Sequence, residues 1–163
     1  MNLRSLPALA LTLVLLWLGG TLAAPAVRLM DPESGKPVEL PLGAPALHLV
    51  FFATWCPRCT DELNGLAELE ANWSQKGYRL VIVAVRTRHD TQRLADFIAG
   101  ERPPGRLLFD SDGTAEQRWA AKQLPTHVVL DASGKEVARS SGLGPEIEAA
   151  LERLLAERRG PKP

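Results

Sequence analysis

Cys56 and Cys59 are the only two cysteines in 163 residues, and two residues separate them. Thiols at that spacing can close a small disulfide ring and reopen it without unfolding the chain. They sit in Trp55-Cys56-Pro57-Arg58-Cys59, directly after an apolar run, Leu47-His48-Leu49-Val50-Phe51-Phe52-Ala53. That run reads as a buried strand, and the stretch from Asp61 to Lys76 reads as a helix. Cys56 therefore belongs at a helix N-terminus. There unpaired backbone N–H groups and the positive end of the dipole favour an anion, and thiolate is the reactive form of cysteine. Strand, C-x-x-C and helix, in that order, are the layout of a dithiol redox site.

Two other uses of the pair are weaker. A zinc site needs about four ligands. There is no second C-x-x-C, and His48, His89 and His127 are scattered, so no metal is expected. A purely structural bond across so short a loop would remove little chain entropy and be a poor staple.

The elements that must position the pair follow from patterning. Val27–Met30 and Val38–Leu40 flank a turn at residues 31–36 and predict an N-terminal hairpin. Leu63, Leu66, Leu69 and Trp73 line one face of the helix after the motif, and Gly77 is placed to cap it. Residues 80–85 form a second continuous apolar strand. A helix over 91–100, a short strand over 107–109 and a helix over 113–122 follow. Thr126 to Leu130 is a third buried strand, and residues 136–140 complete a hairpin with it. Pro145 opens an amphipathic C-terminal helix. Strands alternating with helices, then a closing hairpin and helix, predict an α/β fold whose central mixed sheet is flanked by helices.

Met1 to Arg4 followed by the apolar stretch Leu6–Leu18 reads as an export signal, with Thr21-Leu22-Ala23 a cleavage site. Uncleaved, the same stretch is just long enough to anchor the chain in a membrane. The expected organisation is a signal peptide or N-terminal anchor over 1–23, one domain over 27–158 and a frayed tail over 159–163. Nineteen basic residues balance nineteen acidic ones, which argues against nucleic acid or an anionic membrane surface as partner.

Cys59, Glu62, Leu66, Leu69 and Trp73 share one helical stripe, so Glu62 lies on the inward face one turn from Cys59. Burial disfavours the charged form of an acid, which suits one there to exchange a proton with a thiol. Glu70 falls near the same stripe, and a surface acid favourable to the helix dipole is the other reading of Glu62. Arg58 adds positive charge that favours thiolate, or is a solvated surface cation. His127 stands in a strand buried on both faces. It is a core histidine bonded to backbone or water, or its ring lies near Glu62 and joins proton transfer to Cys59. His48 and His89 have no argued role.

The run Phe51-Phe52-Ala53-Thr54-Trp55-Cys56-Pro57-Arg58-Cys59, Glu62, and Leu124-Pro125-Thr126 leading into Val128-Val129-Leu130-Asp131 together resemble the thioredoxin superfamily. Within it the chain is similar to the exported, TlpA- and ResA-like thiol–disulfide oxidoreductases. The resemblance spans nearly all of residues 27–158. It implies a thioredoxin-like fold, with Cys56 as the attacking thiolate and Cys59 as the resolving thiol of a redox disulfide. It implies an acid at Glu62, a cis-proline at Pro125 preceded by Leu124, and Trp55 and Pro57 supporting the dithiol. Cytosolic thioredoxins place an Asp six residues before the first cysteine; here that residue is Val50, which favours the exported branch. A small hydroxyl residue is common two places after the cis-proline, where this chain has His127.

The resemblance further implies protein thiol or disulfide substrates, no cofactor, a periplasmic or otherwise extracytoplasmic location and a membrane-bound electron donor. The commonest task of that branch is reduction, often of apocytochrome c cysteines in cytochrome c biogenesis. Alternatives are oxidation or isomerisation of secreted proteins, a thiol peroxidase, and a copper metallochaperone using Cys56, Cys59 and His127.

Overall fold

The computed structural model describes residues 26–40, 42–85 and 91–157. The expected export segment, the expected tail and His89 lie outside the described residues.

The chain opens with β1 (Val27–Met30) and β2 (Pro37–Leu40), paired antiparallel around a turn in which Asp31 accepts the backbone N–H groups of Glu33 and Ser34. β3 (Ala46–Phe52) follows, buried at every position. The helical segment begins at Pro57, earlier than the apolar spacing predicts, because proline fits the first helical position and leaves no N–H unpaired. It comes in two pieces, α1 (Pro57–Asp61) and α2 (Leu63–Trp73), with Glu62 as the link between them. A single 3-10 turn (Ser74–Lys76) leads to Gly77, whose φ of 101° is the left-handed cap the sequence predicts.

β4 (Tyr78–Val85), α3 (Thr91–Glu101) and β5 (Arg106–Asp110) come next. α4 spans only Thr114–Arg118, not the longer helix expected over 113–122. Trp119 turns into the core and Ala120 takes a left-handed φ of 45°, which ends the helix soon after it starts. β6 (Thr126–Asp131), β7 (Glu136–Ser140) and α5 (Pro145–Glu157) complete the fold.

The strands form one seven-stranded sheet in the order β2-β1-β5-β4-β3-β6-β7. β3, β4 and β5 run parallel, while β6 lies antiparallel to β3. This is the expected thioredoxin-like mixed sheet, with the N-terminal hairpin added along the edge. The centre, β3, is an unbroken apolar run because it is covered on both faces. Phe51 meets Trp119 on one side, and Phe52 meets Phe97 of α3 on the other.

The fully buried Phe51 thus anchors the layer that sets the height of the cysteine turn. Phe51→Ala is expected to lower the unfolding free energy by about 3–5 kcal/mol, read as an earlier urea midpoint with an unchanged m-value.

Candidate active site

β3 ends at Phe52, and the backbone N–H of Cys56 bonds Ala53 O, tightening the turn that delivers the cysteine to the helix start. Cys56 is the N-cap of α1, in an extended conformation, and its Sγ accepts the backbone N–H of Cys59 at 3.3 Å. The two cysteines are joined in a disulfide with their Cα atoms 5.3 Å apart. Both are largely covered, Cys56 at 7% exposure and Cys59 at 2%. Beside them Trp55 is 46% exposed, an unusual position for so large an apolar ring.

A groove of about 410 Å³ runs past the pair, lined by Trp55, Cys56, Arg58, Glu116, Lys122 and Leu124. The Leu124–Pro125 peptide is cis, as the resemblance implies. A larger hollow of about 640 Å³ lies beside Gly43, Asp131 and Leu154 and has no cysteine or histidine in its lining.

Arg58 is exposed, and its Nη2 donates to the carbonyl of Ser141 in the loop after β7. That loop covers Glu62. A Cβ on Gly142 would stand 3.0 Å from Glu62 Oε1, and one on Gly65 would stand 3.0 Å from Leu143. Glu70, the other acid near the inward stripe, instead accepts the backbone N–H of Gly105 at 2.6 Å and holds the start of β5.

Of the two readings of His127, the structure shows the contact. Its Nε2 lies 2.8 Å from Glu62 Oε2. Its other ring nitrogen, Nδ1, lies 3.0 Å from His48 Nε2, and His48 Nδ1 lies 2.9 Å from the Tyr78 hydroxyl. Register explains the line. His127 pairs with Val50 and His48 with Val129 across β3 and β6, while His48 pairs with Leu80 across β3 and β4. His127, His48 and Tyr78 are therefore diagonal neighbours on one face of the sheet.

Both histidines are completely buried. Burial holds His48 well below its ordinary pKa, and the nearby His127 adds to this. Burial also lowers His127, against the opposing hydrogen bond and charge of Glu62 and the charge of Glu146. At neutral pH the Glu62 contact is thus a hydrogen bond from a neutral imidazole. Burial raises the Tyr78 phenol above its ordinary range, helped by the charge of Glu70, so it stays protonated.

His48 and Tyr78 are the site residues that sequence reasoning missed. The available signal was a histidine inside an otherwise apolar strand. Such a group must find a partner when buried.

Cys56–Cys59 on a helix N-terminus, beside a cis-proline and a groove, defines a thioredoxin-like thiol–disulfide oxidoreductase. The chain belongs to the AhpC/TSA family, whose profile matches residues 22–138. It is 27% identical over 136 residues to sporulation thiol-disulfide oxidoreductase A of Bacillus subtilis, covering 83% of this chain and 81% of that protein. It is 26% identical to the thiol-disulfide oxidoreductase ResA of Bacillus thuringiensis, over 73% of this chain and 68% of the relative. The crystal structure of StoA from Bacillus subtilis superimposes with a TM-score of 0.65 at 25% identity, covering 80% of this chain and 97% of that one.

Two outcomes follow. His48 and His127, with their pKa values lowered in the folded chain, stay neutral where the unfolded chain begins to protonate, below about pH 6.5. The stability they support is present above that pH and is lost as pH falls toward the folded values. Each contributes a slope of about 1.4 kcal/mol per pH unit there. Urea midpoints from pH 8 to 5 should fall on the acid side, and His48→Gln should flatten the fall. Gly142→Ala should displace the Glu62 carboxylate and slow dithiol exchange with little loss of melting temperature.

Proposed function

We propose that the chain is an exported reductase of protein disulfides, working outside the cytoplasm with electrons from a membrane-bound donor. Residues 1–23 then serve as its signal peptide or anchor, 27–158 as the working domain and 159–163 as a free tail. Among the described residues no helix is long and apolar enough to cross a membrane.

Cys56, reduced to the thiolate, attacks a partner disulfide. A Cys56–partner bond forms, and the partner's first sulfur leaves as a thiolate and takes a proton. Cys59 then loses its proton to Glu62 and attacks Cys56 Sγ. The Cys56–Cys59 bond closes, and the partner's second sulfur leaves and is protonated. The partner gains two electrons and two protons, and the dithiol loses them. Trp55, Pro57, Leu124 and Pro125 would form the docking face, and Arg58 would favour the anion. His127 would position Glu62.

One observation carries the reductive direction. Among the described residues the only hydrogen-bond donor to Cys56 Sγ is the backbone N–H of Cys59, and Leu124 offers no side-chain donor. A dithiol becomes a strong oxidant when its reduced form is specially stabilised, and the Cys56 thiolate here would have the helix terminus and the solvent-screened charge of exposed Arg58, with no side-chain hydrogen bond to add to them. This supports reduction over oxidation or isomerisation, with apocytochrome c cysteines as one substrate class.

Thiol peroxidase chemistry is less well supported in this chain. Position 53, three residues before Cys56, is alanine, where a peroxidatic site would want threonine. A copper site shared by Cys56, Cys59 and His127 is disfavoured because both ring nitrogens of His127 are engaged.

The equilibrium potential of the Cys56–Cys59 pair is the deciding measurement, taken in a dithiothreitol or glutathione series. A value below about −220 mV is expected, and one above about −150 mV would replace the reductase reading with an oxidant or isomerase. In the same assay Cys59→Ser should accumulate a mixed disulfide on Cys56, and Cys56→Ser should form none.

A further inference from the structure

The line Tyr78–His48–His127–Glu62 has a direction. Each contact joins one donor to one acceptor, at 2.9, 3.0 and 2.8 Å. The histidines are free to place their single protons on either nitrogen, but the phenol is not. Tyr78 is 1% exposed, and among the described residues its hydroxyl has one partner, His48 Nδ1. A buried hydroxyl hydrogen with one acceptor in reach must point at it, since an unmade bond costs about 1–3 kcal/mol. Tyr78 therefore donates and His48 Nδ1 accepts. His48 must then carry its proton on Nε2 and donate to His127 Nδ1. His127 in turn carries its proton on Nε2 and donates to Glu62 Oε2. Every buried side-chain nitrogen and oxygen among the described residues has a hydrogen-bond partner.

The geometry points to Tyr78 and His48 as positioning residues that lock His127 in its Nε2–H tautomer and so hold Glu62 as a hydrogen-bond acceptor beside the dithiol. The opposite tautomer would turn a lone pair of His127 toward the carboxylate and release it. One oxygen of Glu62 is held by the ring, and the other lies against Gly142, on the side of that glycine where the Arg58 guanidinium also stands. A carboxylate fixed in this way, one helical turn after Cys59, would accept one proton from it while the S–H bond breaks and an O–H bond forms. The role of Glu62 in that step rests on the function proposed above; the tautomer assignment does not.

The charged groups around the line are few. Glu62 stands at the junction of α1 and α2, with Arg58 of α1 near the same glycine. Glu146 of α5 acts on His127, and Glu70 of α2 acts on Tyr78. Glu146 reaches His127 through charge and not through a ring nitrogen, both of which are taken by His48 and Glu62, so the direction of the line is set by its hydrogen bonds, starting from the phenol.

The test is to label the full chain with 15N-histidine and read the protonation site of each ring by long-range proton–nitrogen spectra near pH 7. Rates of Cys59 resolution are measured across pH on the same samples. His48 and His127 are expected to be bare at Nδ1 and protonated at Nε2. Tyr78→Phe keeps the packing against Trp73 but removes the donor. It should give a mixture of His127 tautomers, slow resolution about tenfold and shift its pH profile, within what a general base contributes. His48→Leu should do the same. His48→Gln, whose amide can accept from Tyr78 and donate to His127, should restore the profile. A wild-type His127 protonated at Nδ1, or a Tyr78→Phe chain with unchanged tautomers and pH profile, would overturn the assignment. Wild-type chain that shows the assigned tautomers yet reduces no protein disulfide would instead sink the proposed function and the proton step with it.

Discussion

A polar side chain inside a sheet survives only if its hydrogen bonds are answered there. β3 is the strand on which the site depends, buried at all of its seven positions, with a histidine at the third. Leaving His48 unanswered would cost more than most single core contacts supply. The requirement passes from ring to ring until it reaches Glu62, which is 22% exposed at its side chain and needs no further buried partner. The depth of the sheet and the chemistry at its end are thereby linked. The carboxylate one helical turn after Cys59 is held by a chain of bonds rooted in the core.

The same logic explains why the cysteine helix is interrupted. α1 ends and α2 begins at Glu62, whose ψ of −10° departs from regular helix while its carbonyl still accepts from Leu66. The short first piece keeps Cys56 at the N-cap and Cys59 one turn inside. Gly65 and Gly142 then let the loop after β7 close over the junction. Arg58 fastens that loop through the Ser141 carbonyl. The site is thus assembled from the ends of β3 and β6, the broken helix and one loop that covers it.

Much of this was legible in the sequence, for physical reasons. The Cys56–Cys59 pair, the apolar strand before it and the Gly77 cap are local signals that need no knowledge of the fold. The hairpin at the N-terminus was readable from its turn residues, and Glu62 from its place on the helix. Other features depend on register, which local patterns do not carry. His48 and His127 are 79 residues apart, and their meeting requires Val50 to pair with His127. Tyr78 was hidden because the apolar run suggested a strand beginning at residue 80, whereas pairing with Ala46 brings Tyr78 into β4. The truncated α4 could not be read either, since Trp119 leaves the helix to reach Phe51 in another layer.

Val50 gives the comparison with cytosolic thioredoxins its physical content. In those proteins the acid lies on the strand, six residues before the first cysteine. Here that place is apolar and 2% exposed, and its cross-strand neighbour is His127. A carboxylate on the strand would be wholly desolvated, and an ionised group there is costly to bury. Glu62 comes instead from the helix junction, keeps part of its contact with water and receives one hydrogen bond from the sheet. The residue opposite Val50 therefore has to be a donor, long enough to reach the helix and neutral enough to be buried. A histidine held in one tautomer meets all three demands, which a hydroxyl residue at position 127 would not.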